Sequence, residues 1–415
     1  MKPWTRRETL KMALAVLATG CSSPVRLTAA PARPKPGDLS ESNLDFAGRF
    51  YRELSAEQQS GGANLIVSPY SISRALAMTL VGARGTTAEQ MQKVLGFDEP
   101  LSDVHRGFGE LNRWFNRSDK PYELTVDNAL WGEQAIEFDA KFLKTLRQQY
   151  DAELTQVDFQ GRPESARAKI NAAIEESTRG KIRDLLGSGS ITSLTRLVLT
   201  NAIYFKGLWK YQFRPSNTED APFQLLDGQS VKVPMMQQTE DFDYAELMDG
   251  KVQLAALPYR GDELRMLILL PRDAGALAEL ERQISAARLS EWVSQMNSVE
   301  LSLQLPRFKY EFSVSLKSTL EAMGIRDAFS PAADFSGMAS VAAAQGFYIS
   351  DAIHEAMIEV NEEGTEAAAA TGVIVAARAV PRIVEFHCNR PFLFVIEDQQ
   401  TRTPLMVGKV ADPSK

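Results

Sequence analysis

The 415-residue chain is 44% hydrophobic with a formal net charge of −7, which allows a large core and makes it a poor nucleic-acid binder. No stretch reaches the roughly 20 apolar residues of a spanning helix, so a globular body is expected. Length alone would suggest two or three domains, but no repeat, low-complexity tract or internal Pro/Gly linker divides the chain, and one large domain is expected.

In chain order, residues 1–21 read as an export signal: Arg6-Arg7 and Lys11 precede a short apolar run from Met12 to Ala18, then Thr19-Gly20-Cys21. Paired arginines ahead of a weakly apolar stretch resemble a twin-arginine signal, and small residues before Cys21 resemble a lipoprotein processing site. Cys21 is therefore the expected lipidation residue. The position three before it holds Ala18 rather than the usual Leu, so cleavage by ordinary signal peptidase and release is the alternative. Either outcome places the protein in the cell envelope or outside, touching a membrane only through a lipid on Cys21. Removing residues 1–20 takes away a net +3 and moves the chain from −7 to −10. If Cys21 carries lipid, only Cys388 remains as a free thiol, so no intramolecular disulfide can form and stability must come from packing.

Residues 22–42 hold Pro24, Pro31, Pro34 and Pro36 among small and polar residues, a composition expected to form an extended tether. The folded domain is expected over residues 43–415. From Asn43, Leu44, Ala47, Tyr51 and Leu54 recur at helical spacing, and Thr86-Thr87-Ala88-Glu89 predicts a capping box for a helix that stops at Gly96. Later, Val299, Leu301, Leu303 and Leu305 alternate with Glu300, Ser302 and Gln304, which predicts a strand with one buried face. Arg265 to Pro271 and Phe392 to Glu397 are nearly continuous apolar runs, read as strands buried on both faces. Helices first and many strands afterwards indicate an α+β fold.

Catalytic chemistry has little to work with. The chain has three histidines, His105, His354 and His387, and no HExxH, CxxC, G-x-S-x-G or phosphate loop, and Gly187-Ser188-Gly189-Ser190 is only a turn-like cluster. No metal or cofactor is expected, and binding or inhibition outweighs catalysis.

The most informative stretch runs from Asn361 to Pro381. Its glutamates and four alanines favour helix, while Gly364 and Gly372 interrupt it and Val373, Ile374 and Val375 favour strand. One reading is a short surface helix leading into a strand. The other is a segment that must pass from exposed loop to buried strand. Period two puts Thr365, Ala367, Ala369, Thr371 and Val373 on one face with no charge among them, and Glu366 on the other. Small uncharged side chains keep such an insertion cheap.

Glu362, Glu363, Gly364, Thr365, Glu366, Ala367, Ala368, Ala369, Ala370 and Thr371 resemble the hinge of inhibitory serpins almost residue for residue. Asn64 to Ser73, Leu199 to Trp209, Val231 to Met236, and Asn389 to Phe394 through Gly408-Lys409-Val410 also resemble serpin segments, in family order, from about residue 44 to the end. The resemblance implies the serpin fold, a single large domain of three β-sheets and eight or nine helices, and a monomer with an exposed reactive-centre loop at about 362–382.

It further implies suicide-substrate inhibition of a serine protease, with the inhibitor contributing no catalytic group. The family's cleaved bond lies seventeen residues into the hinge segment, and counting from Glu362 reaches Arg378–Ala379, with Arg382 as second choice. Arginine there suits the acidic pocket of trypsin-like proteases. Ser68, Ser71, Asn201 and His354 match the family's gate, where the central strands part, and Trp209 matches the aromatic where insertion starts. Taken singly, Ser68-Pro69 with Ser71 could merely cap a helix and His354 could be a satisfied core residue. The competing class is a serpin-fold binding protein that no longer inhibits; the absence of proline, charge or bulk on the inward face of 365–371 weighs against it.

Overall fold

The computed structural model of the chain describes residues 38–58, 62–340, 346–365 and 383–415. The stretch read as an export signal with Cys21, most of the stretch read as a tether, residues 366–371 of the hinge-like segment, and Arg378, Ala379 and Arg382 lie outside the described residues.

The amino-terminal part is helical, with α1 (Asp38–Glu57), β1 (Leu65–Val67), α2 (Pro69–Leu80), α3 (Gly85–Leu95) and α4 (Leu101–Phe115). Next come β2 (Tyr122–Glu133), α5 (Ala140–Thr145), β3 (Leu154–Val157), α6 (Pro163–Ser177) and β4 (Leu197–Leu208). Strands then dominate: β5 (Thr218–Gln224), β6 (Ser230–Leu247), β7 (Val252–Pro258) and β8 (Leu264–Pro271) precede α7 (Ala274–Gln283) and α8 (Ala286–Ser294). The remainder is β9 (Asn297–Pro306), β10 (Phe308–Ser315), α9 (Lys317–Met323), β11 (Ile349–Val360), β12 (Gly364–Thr365), β13 (Val384–His387), β14 (Phe392–Asp398) and β15 (Pro404–Val410). Nine α-helices therefore stand among the described residues, and the α+β expectation holds.

Local chemistry sets several boundaries. Helix α2 starts where Ser68 is extended and its hydroxyl accepts from the Ser71 N–H at 3.2 Å, with Pro69 supplying a preset φ at the first helical position. Every residue of α2 is buried, so it is the central helix of the core. Helix α3 ends as expected at Gly96, in the left-handed region at φ 70°, but no capping box forms at its start. The helix begins earlier, at Gly85, and the Thr86 and Thr87 hydroxyls instead bond Asp327 and the Asp334 N–H. Helix α1 begins at Asp38, so the folded part takes in residues 38–42 of the stretch read as tether. Leu301, Leu303 and Leu305 are buried on β9, and β8 and β14 are buried along their whole length, as the two apolar patterns predict.

The strands form two hydrogen-bonded networks. One has six strands in the order β10-β11-β12-β4-β2-β3, with β11 also paired directly to β4. The other has nine strands, running β1-β15-β14-β8-β7-β6-β9-β13 with β5 on β6. Two of the three expected sheets are joined here through the long strand β6. Its residues 230–236 pair with β5 and residues 243–247 pair with β7, while β9 runs along residues 235–244 on the other edge. The main core lies between these networks and the helices.

Candidate functional site

The six-stranded network holds two parallel neighbours, β11 and β4, in register from Ile349↔Leu197 to Met357↔Tyr204. At their carboxyl ends they part, and β12 sits antiparallel between them, with Val360↔Thr365 on one side and Thr365↔Gly207 on the other. Gly364 and Thr365 thus occupy the mouth of a slot whose remainder is closed by direct β11–β4 pairing.

The closed part carries a buried polar cluster. His354 and Asn201 are register partners across β11 and β4, and Asn201 and Asn128 are partners across β4 and β2. His354 Nδ1 bonds Asn201 Oδ1, while the Asn201 amide donates to Asn128 Oδ1 and, at 2.7 Å, to Ser71 Oγ. Ser71 Oγ donates to Asn128 Oδ1 at 3.0 Å, and Asn128 Nδ2 donates to the Ser71 carbonyl at 3.1 Å. His354 Nε2 accepts the Ser68 N–H at 3.1 Å, which places the ring proton on Nδ1, facing Asn201. Burial lowers the His354 pKa to about 3, so the ring is neutral across the physiological range. This is not a catalytic dyad: Nε2 is occupied by a backbone N–H rather than by the Ser68 hydroxyl, and His354, Ser68 and Ser71 are all fully buried. The cluster ties the two strands to each other and to the start of α2.

At the mouth, Trp209 stacks on Tyr259 with centroids 4.6 Å apart. Its backbone N–H donates to the Glu363 carbonyl at 2.8 Å, and its Nε1–H donates to the Asn361 carbonyl at 3.0 Å. Thr365 is buried, its hydroxyl 2.8 Å from the Tyr259 hydroxyl. Gly364 has φ +155°, and a Cβ there would lie 2.1 Å from the Gly207 carbonyl oxygen, so only glycine fits between the strands. Glu362 is clamped by Arg307, whose Nε lies 2.7 and 2.8 Å from the two carboxylate oxygens, and by the Thr218 hydroxyl. Burial works against its charge, but the Arg307 and Thr218 hydrogen bonds outweigh burial and hold its pKa below the usual carboxylate range.

A second, smaller core lies across the slot. Val198 and Ala202 of β4 and Ile353 of β11 pack with Ile170 and Ile174 of α6 and with Ile182, Leu185, Leu186 and Ile191 of the segment returning from it. A strand entering between β4 and β11 would have to displace this packing.

Of the residues the resemblance names, Ser68, Ser71, Asn201 and His354 lie in one hydrogen-bonded cluster and Trp209 lies at the mouth. Asn128, Tyr259, Arg307 and Thr218 complete the two sets and escaped the reading of the sequence. Asn128 carried a legible signal, a polar residue on the same period-two face as buried Leu124 and Leu130.

A family model described as Serpin (serine protease inhibitor) matches residues 41–413. The chain is 42% identical over 381 residues to leukocyte elastase inhibitor of Bos taurus, covering 90% of this chain and 99% of that protein. It is 40% identical over 384 residues to antithrombin-III of Mus musculus, covering 91% and 82%. Among solved structures, uncleaved ovalbumin superposes with a TM-score of 0.84 at 32% identity, covering 91% of this chain and all, 100%, of that one. Human thyroxine-binding globulin gives 0.83 at 32% identity, covering 91% and 99%. These matches show that the chain belongs to the serpin family of serine protease inhibitors.

Proposed function

We propose that the protein is a single-use, covalent inhibitor of trypsin-like serine proteases, cut between Arg378 and Ala379. The protease serine attacks the Arg378 carbonyl, forms the acyl-enzyme and releases Ala379 as a new amino terminus. The loop, freed at one end, then enters between β11 and β4 as a central strand and drags the acylated protease with it before water completes hydrolysis. Hydrogen bonds to two flanking strands and relief of a metastable fold drive the step.

The observation that carries this reading is the register of β12. Continued one residue at a time, Val360↔Thr365 and Thr365↔Gly207 would bring residue 376 opposite Ile349 and residue 375 opposite Leu197, the first residues of β11 and β4. The slot would be filled from Thr365 to Ala376, and Arg378 would emerge just beyond its end, whereas Arg382 would trail well past it. Thr365 already faces inward, and period two puts Ala367, Ala369, Thr371 and Val373 behind it, all small or apolar. One relative is named for elastase and another for thrombin, so the preference for trypsin-like enzymes rests on the Arg378 guanidinium.

The test is the mass of the peptide released on reaction with trypsin. A fragment spanning residues 379–415 supports the reading, and one starting at Ile383 assigns the bond to Arg382. We further propose export of a monomer through the twin-arginine-like signal and lipid attachment at Cys21. Metabolic labelling with a radioactive fatty acid, lost in a Cys21→Ser variant, checks the anchor.

A further inference from the structure

Beside the hinge lies a cleft of about 760 Å³. Its walls are the turn Asn361–Glu363, the corner between β9 and β10, the start of β6, and Pro413 to Lys415. The floor is apolar: its accessible surface includes the exposed Pro215 and Pro234, set over the nearly inaccessible Val233, Phe308 and Val360.

Four cations surround that floor: Lys232, Arg307, Lys309 and Lys415. Each has a carboxylate neighbour, but the acid is consistently the more hidden partner. Side-chain exposure is 45% for Arg307 against 6% for Glu362, 57% for Lys309 against 28% for Glu359, and 77% for Lys415 against 6% for Asp412. Lys232, 71% exposed, pairs at 3.3 Å with Asp220, which is not part of the lining. Glu363, the remaining carboxylate of the walls, has Oε2 turned out of solvent. Arg307 gives Glu362 its Nε and Nη2, and among the described residues its Nη1 makes no hydrogen bond. An otherwise acidic chain therefore presents here positive heads over an apolar floor, with one guanidinium edge unspent.

We propose that this cleft binds a small anionic amphiphile, a carboxylate on an apolar chain, with the head on the Nη1 edge of Arg307 and on Lys309 and Lys232, and the chain over Pro215 and Pro234. The volume suits a ligand of that size, and the pairing of a few polar anchors with an apolar floor is the usual form of such sites. Burial of the chain supplies affinity, and the cations select the charged head. Because Arg307 also holds Glu362, the ligand and the hinge share one residue.

The test is calorimetric titration of the intact protein with decanoate at low salt, with decanol as the uncharged control. Saturable one-site binding of decanoate is expected, well above that of decanol and weakened by added salt. Lys232→Glu with Lys309→Glu should weaken it about tenfold, and Lys309→Gln alone should weaken it by a smaller factor. Both lysines are more than half exposed, so the variants should fold, as circular dichroism would verify. No saturable decanoate binding, equal binding of decanol, or unchanged affinity in the charge-reversed variant would each overturn the proposal. The readout involves no protease and stands apart from the inhibitory reading.

Discussion

His354 and Asn201 face each other across two parallel strands, β11 and β4, and share a hydrogen bond that must break before a new strand can pass between them. Their bond ties the two strands together, and in the proposed mechanism it is also the gate.

The gate should respond to acid. The folded pKa of His354, about 3, lies below its unfolded value of roughly 6.5, so the unfolded chain binds the proton first. The stability linked to this residue is full above about pH 6.5 and is lost progressively as pH falls toward 3. Glu355 next to it acts in the opposite sense: burial, then the nearby Glu311 charge, raise its pKa to about 7, so its contribution is lost as pH rises through that value. Comparing a His354→Gln variant with the parent isolates the histidine. The parent's unfolding midpoint should fall more steeply between pH 6 and 3, about the span between the two His354 values. Parallel curves would refute the assignment.

Asn128 should matter as much as the residues the family resemblance names. Asn128→Leu leaves the Asn201 amide and the Ser71 hydroxyl without a shared acceptor inside the core, which costs about 1–3 kcal/mol. A urea unfolding series should show a lower midpoint with an unchanged slope.

Gly364→Ala should damage the primed hinge. The new Cβ would overlap the Gly207 carbonyl, so β12 would be expelled from the mouth and insertion would start from a state with nothing inserted. Stopped-flow measurement with trypsin should show slower trapping and more turnover per complex formed, with secondary structure content unchanged.

Thr365→Arg places a cation where Thr365 is now buried against Tyr259, so insertion stalls and the inhibitor becomes a substrate. The stoichiometry of inhibition should rise several-fold, by an amount set by the desolvation cost of the arginine. Arg378→Ala should move preference toward elastase-like proteases, and rapid trypsin inhibition retained in that variant would point to Arg382.

Much of this architecture was legible because it is written locally. The alternation of Leu301, Leu303 and Leu305, the Gly96 stop and the inward-facing Thr365 all follow from short-range periodicity or turn chemistry. What escaped depends on partners far apart in sequence. Arg307 meets Glu362 across 55 positions and Tyr259 meets Thr365 across 106, and neither pairing leaves a local pattern. Thr86 failed as a capping residue for the same reason, because Asp327, 241 positions away, claims its hydroxyl. The three-sheet expectation could not anticipate that β6 would join two sheets, since register along an 18-residue strand is set by its neighbours and not by its own alternation.

The most direct test of the inhibitory account is incubation of the protein with trypsin followed by denaturing electrophoresis. The account predicts a band at the summed mass of the two chains, resistant to boiling in detergent and absent when the protease serine is blocked. Cleaved chain alone, with trypsin still fully active, would contradict it.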